Sequence, residues 1–194
     1  VIDTPATPAT PEPLAVFPNE LHHDSAGRVI APYSVLNIVT TAPTPAMVFV
    51  DLAAVLDELP GDLRNQIDGR YAQHARLPAA NQPMSAALPF DETTATELPL
   101  VVHHPRDGRP LLHLPRHPDS RITGLGVDEG RELLAKLWAI VDRSAARFEH
   151  SAAPGDLVIW DNIGLLHTNP SAPRTEDRSV WFATLGEPVA LEAA

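Results

Sequence analysis

The chain has 194 residues, 44% of them hydrophobic, enough to bury the core of one domain, and no apolar run approaches the ~20 residues that cross a bilayer. A net charge of −11 argues against a nucleic-acid groove, and the absence of cysteine removes disulfides, thiolate metal ligands and a cysteine nucleophile together. Val1-Ile2-Asp3-Thr4-Pro5 has neither the basic nor the apolar region of a signal peptide, so a cytoplasmic protein without nucleic-acid or membrane partners is expected.

Residues 1–18 carry Pro5, Pro8, Pro11 and Pro13 among threonine and alanine, a composition that forms neither a regular helix nor a central strand. The folded domain is expected over 19–188, with a C-terminal tail at 189–194. Val29 to Thr41 and Ala46 to Asp51 read as strands, being rich in β-branched and apolar residues between prolines. Leu52 to Leu59 and Gly61 to Asp68 read as short helices split by Pro60-Gly61, and Tyr71 to Arg76 as a strand. Leu77 to Leu98 loses all periodicity, which predicts a long irregular loop of the kind that closes over binding sites.

Asp128 to Arg147 is the long helix of the prediction. Leu133, Leu134, Leu137, Trp138 and Val141 recur at three- and four-residue spacing, and Asp128 and Glu129 place negative charge in its first turn. Asp156 to Asp161, Gly164 to His167 and Arg178 to Leu185 complete a mainly β chain with helices. Its most economical architecture is a double-stranded β-helix, or jelly roll, with one long covering helix.

Two stretches carry the chemistry: His22-His23-Asp24, and Gly155 to His167. On an extended strand His22 and Asp24 share a face while His23 turns away, and His167 can close the triangle from another strand. Two histidines and one carboxylate on one face of a metal is the ligand pattern of non-haem iron(II) oxygenases. Lysine occurs once, at Lys136, so 13 arginines supply nearly all positive charge, and Arg106/Arg109 and Arg116/Arg121 are candidates for binding anions. His74, His103 and His104 could line a pocket, Trp160 reads as core, and Asn162 as a turn residue.

From Asn19 onward the sequence resembles the superfamily of taurine dioxygenase and 2,4-dichlorophenoxyacetate dioxygenase, enzymes dependent on iron(II) and 2-oxoglutarate. Landmarks in order are Glu20-Leu21-His22-His23-Asp24, Thr41-Ala42-Pro43, Met47 to Asp51, the hairpin His104-Pro105-Arg106-Asp107-Gly108-Arg109, Arg121 to Gly126, and the segment ending at His167. The resemblance implies Fe(II) held by His22, Asp24 and His167, 2-oxoglutarate and O2 as cosubstrates, and a small-molecule substrate. It implies further that Arg178, eleven residues beyond His167, pairs with the far carboxylate of 2-oxoglutarate. Relatives add a threonine hydroxyl there, and with Met47 at the aligned position Thr44, or Thr40 or Thr41, would supply it.

Four residues after Arg178, where sulfonate-binding relatives carry a second arginine, stands Phe182, so taurine is not the expected substrate. Related halogenases vacate the carboxylate position for chloride, whereas Asp24 fills it. Hydroxylation or desaturation of a small molecule, such as an amino acid or secondary-metabolite intermediate, is therefore the expected reaction. The alternative is a jelly-roll binding or accessory domain that has lost 2-oxoglutarate turnover. A homo-oligomer is compatible with either.

Overall fold

In the computed structural model the described residues are 21–23, 29–40, 46–74, 90–115, 120–168 and 179–194. They are mainly β. In chain order they form β1 (Val29–Ile30), β2 (Tyr33–Thr40), β3 (Met47–Asp51), α1 (Leu52–Glu58), α2 (Gly61–Ile67), β4 (Tyr71–His74), β5 (Thr96–Pro99), β6 (Val101–His103) and β7 (Pro110–Leu112). Then follow β8 (Arg121–Ile122), α3 (Val127–Arg143), β9 (Arg147–His150), β10 (Leu157–Asp161), β11 (Leu165–His167), β12 (Ser179–Leu185), β13 (Val189–Ala190) and β14 (Glu192–Ala193).

Two antiparallel sheets position the site, one in the order β10-β2-β12 and the other β11-β3-β9. Side chains alternate across a strand, so β3 and β11 of the second sheet each serve two cores. Phe49 on β3 joins Leu36, Ile38, Met47 and Trp160 in a small apolar cluster between the sheets, with Leu165, Val180 and Phe182 packed against it. Val50 and Leu166, one residue along, turn to the larger core, where they meet Leu52, Val55 and Leu56 of α1 and Leu133, Leu137 and Val141 of α3. His167 shares the face of Leu165, and so points inward, between the sheets.

Helix α1 starts where it does because Asp51 caps it, its Oδ1 accepting from the N–H groups of Ala53 and Ala54 at 2.8 and 3.2 Å. Pro60 ends the following turn and opens α2, as the Pro-Gly pair predicts. Helix α3 stops at Arg143, earlier than the predicted Arg147. Ser144 takes an extended ψ of 137°, and its hydroxyl accepts from Ala146 N–H at 3.0 Å, so the chain leaves the helix and pairs as β9 along β3. The edge of a sheet, not local propensity, decides that boundary.

The predicted loop over Leu77 to Leu98 is corrected at its end: Thr96 to Pro99 is strand β5, paired with β4, and residues 75–89 lie outside the described residues. The predicted strand from Val29 is interrupted at Ala31-Pro32 between β1 and β2. Residues 189–194, read as a tail, carry β13 paired with β1 and β14 paired with β6.

Candidate active site

His22 and His167 face each other across two strands. Each donates its backbone N–H to the other's carbonyl, at 2.8 and 3.0 Å, which makes them a directly opposed antiparallel pair. Side chains opposed in this way stand on the same side of the sheet, and the ring centroids are 4.3 Å apart with the planes tilted by 44°. His22 is 5% exposed and His167 fully buried. Two imidazoles bound side by side to one ion at about 2.1 Å, at roughly a right angle, would place their centroids about 4.6 Å apart, close to the separation seen here. The pair fits that requirement.

Asp24, Thr44 and Arg178 lie outside the described residues. Among the described residues no group of three or more histidine, cysteine or acidic side chains gathers as a metal site. The structure thus brings together the two predicted histidines and leaves the carboxylate and the cosubstrate partners as sequence-based assignments.

The surroundings of His167 are aromatic. Trp160 lies 4.8 Å away and Phe49 6.3 Å, centroid to centroid, and Phe182 stands 6.3 Å beyond Trp160. Trp160, read as core from the sequence, is core and also the wall against which the distal histidine rests. Thr168 fixes the end of this strand, its hydroxyl accepting from Val48 N–H at 2.9 Å while its own N–H donates to the Val48 carbonyl.

The turn leading into β11 is held from two directions. Asp161 Oδ1 accepts from the N–H groups of Ile163 and Gly164 at 3.0 and 3.1 Å, and Oδ2 accepts from His104 Nε2–H at 2.8 Å. Burial pushes the Asp161 carboxyl up, but those two backbone donors and His104 outweigh it and hold it below the ordinary carboxylate value. His104 Nδ1 accepts from Arg106 N–H at 3.2 Å, which assigns the neutral tautomer; its 3.3 Å approach to Asp107 is therefore a contact and not an ion pair. Asn162, fully buried, donates to the Ala31 carbonyl at 3.2 Å and accepts at its own carbonyl from His23 Nδ1–H at 3.1 Å.

His103, His104 and Arg109 therefore serve the hairpin. Arg109 lies 3.4 Å from Asp107 and 3.7 Å from Asp51, and His103 is exposed with its ring bonded to the Ala193 carbonyl. His74 is buried, as a pocket histidine would be. Sequence reading missed His113, a solitary polar residue in the apolar run Leu111-Leu112-His113-Leu114, where only its placement among aliphatic side chains signalled it.

With this geometry in place, comparison with known proteins decides the lineage. The family model described as "Taurine catabolism dioxygenase TauD, TfdA family" matches residues 2–184. The chain belongs to this family. Among curated relatives it is 31% identical over 180 residues to an alpha-ketoglutarate-dependent 2,4-dichlorophenoxyacetate dioxygenase of Burkholderia sp. (strain RASC), covering 89% of this chain and 60% of the relative. It is 27% identical over 143 residues to pentalenolactone F synthase of Streptomyces arenae, covering 67% of this chain and 48% of that protein. Relatives named for dichlorophenoxyacetate are thus matched over 60% and 56% of their length. Among solved structures, AAD-2 in complex with Mn(II) and N-oxalylglycine superposes with a TM-score of 0.74 at 25% identity, over 87% of this chain and 68% of that one. A taurine dioxygenase from Burkholderia xenovorans gives 0.70 at 26% identity, over 89% and 60%.

Proposed function

We propose that the protein is a non-haem iron(II)- and 2-oxoglutarate-dependent dioxygenase that hydroxylates or desaturates a small molecule. The observation that carries this reading is the His22–His167 pair: two buried imidazoles on opposed strands at the spacing that one ion requires, in a chain of this family. Asp24, two residues after His22, would supply the third ligand, a carboxylate beside two imidazoles being a donor set suited to iron(II). The bound metal supplies the oxygen activation that no protein side chain provides.

The chain's own residues do the holding. His22 and His167 donate nitrogen lone pairs from fixed positions, because each is pinned at the backbone by the other. Trp160, Phe49 and Phe182 exclude water on one side of His167, and Arg178, with Thr44, pairs with the far carboxylate of 2-oxoglutarate so that no unpaired charge is buried. The fold around the site reads as a double-stranded β-helix with α3 as its long covering helix. Among the described residues no helix is long and apolar enough to cross a membrane. A cytoplasmic enzyme, as a homo-oligomer or a single chain, accords with that.

Anaerobic addition of Fe(II) and then 2-oxoglutarate tests the reading. A visible charge-transfer band in the wild type, lost in His167→Ala, is the expected result. No band at saturating metal and cosubstrate would favour the accessory-domain alternative.

A further inference from the structure

The sheet β10-β2-β12 turns one face to the site and the other to solvent. Val158, Trp160, Leu36, Ile38, Val180 and Phe182 belong to the cluster between the sheets, so the residues that alternate with them point outward. Register aligns these outward residues in rows across the three strands: Leu157, Asn37 and Trp181 in one, Ile159, Val35 and Ala183 in the next. Trp181 is 68% exposed, Leu157 60% and Ile159 57%, three of the four most exposed large apolar side chains among the described residues. Val39 and Leu185, both also exposed, extend the patch along β2 and β12.

This is more than the ordinary scatter of single surface side chains. With ~150–250 Å² for a large ring and somewhat less for an aliphatic chain, these five residues present on the order of 500 Å² of apolar surface, near the top of what a monomer leaves bare. Two such faces brought together would bury about 1,000 Å², the least that a specific interface needs.

Charge selects the partner. The chain carries a net charge of −11, with 20% of its residues charged, so two copies repel over most of their surfaces. No residue of the two outward rows is charged, nor is Val39. Charge enters at one end of the sheet, where Asp161 is bound by His104 and Arg106 donates to the Tyr33 hydroxyl at 3.2 Å. An uncharged face gives a basic or acidic partner nothing to recognise, whereas a second copy matches it by symmetry. At its centre stands Asn37, exposed on the middle strand. A primary amide both donates and accepts, so two of them facing across a two-fold axis satisfy each other.

We propose that this face packs against the same face of a second copy, forming a two-fold dimer with Asn37 at the axis and Leu157, Ile159 and Trp181 around it. Two twisted sheets stacked in this way lie ~10 Å apart with their strands within about 30° of alignment. The inference does not depend on the dioxygenase reading, because these side chains lie on the opposite face of the sheet from Trp160 and the cluster around it.

Sedimentation equilibrium of the full chain between ~1 and ~100 µM, the range suited to an interface near the lower limit of area, tests the proposal. The wild type should rise from 20.9 kDa toward twice that mass. Asn37→Asp and Asn37→Lys, each placing like charges together at the axis, should stay monomeric alone and associate when mixed, with urea midpoints at low concentration unchanged. Trp181→Ser, which removes the largest part of the patch, should weaken association at least tenfold. A wild-type mass that stays at 20.9 kDa would overturn the proposal and leave the face to a different occupant, such as another segment of the chain. Asn37→Asp dimers as stable as the wild type's, mixed variants that stay monomeric, or an unweakened Trp181→Ser dimer would place the contact elsewhere and overturn it equally.

Discussion

Stability of this protein should fall as pH drops from 6.5 toward 4, and His74 should account for much of the fall. Folding buries this ring and, with His23 nearby, lowers its pKa from 6.5 to about 4. In the unfolded chain it titrates near 6.5, so below that pH the unfolded state takes up a proton that the folded ring refuses. The unfolded state gains accordingly until both forms are protonated below about 4. Between pH 7.5 and pH 5 the window spans about 1.5 pH units below the unfolded value, or about 2 kcal/mol at 1.36 kcal/mol per unit. By pH 4 the loss levels off at about 3 kcal/mol.

Urea unfolding of the wild type and of His74→Phe, each at pH 7.5 and pH 5, isolates this contribution. Phenylalanine keeps the aromatic stack with His113 and cannot titrate. His113, also held low, pulls in the same direction but is present in both proteins. Asp156 and Asp161 lie below the ordinary carboxylate range and lose their stabilisation only as pH falls through more acidic values. The wild type should therefore lose about 2 kcal/mol more than the variant over this interval. Equal losses would show that His74 titrates in the folded state near its ordinary value, and the burial argument would be wrong.

Asp161→Ala should destabilise by ~2–4 kcal/mol in urea unfolding, since it strips an acceptor from Ile163 N–H, Gly164 N–H and the buried His104 at once. Gly186 adopts φ 92°, and a Cβ there would lie 2.6 Å from Pro32 Cγ, so Gly186→Ala should cost at least ~1–3 kcal/mol, read as a lower urea midpoint. Arg178→Ala should weaken 2-oxoglutarate binding roughly ten- to a hundredfold, with Fe(II) affinity nearly unchanged, in a titration of each. An unaltered 2-oxoglutarate affinity would remove Arg178 from the site.

Local pattern determined much of this protein. The Pro60-Gly61 break, the acidic start of α3, the apolar stripe from Leu133 to Val141 and the strands at Met47 and Leu157 follow from side-chain periodicity and backbone restriction, which neighbours in sequence impose without help from the rest of the chain. His22 and His167 were legible for the same reason, each sitting in a short motif. Tertiary structure decided what depends on partners distant in sequence. The helical pattern runs to Arg147 in sequence, but the helix stops at Arg143 and residues 147–150 pair with the open edge of β3; Thr96 to Pro99 becomes a strand because β4 lies beside it. Asp161 and His104, 57 residues apart, read as unrelated polar residues until the hairpin folds onto the β10–β11 turn. The stacking of His23 on His113 and of His113 on His74 has no signature in sequence, because contacts between rings from three separate segments are fixed only when those segments come together.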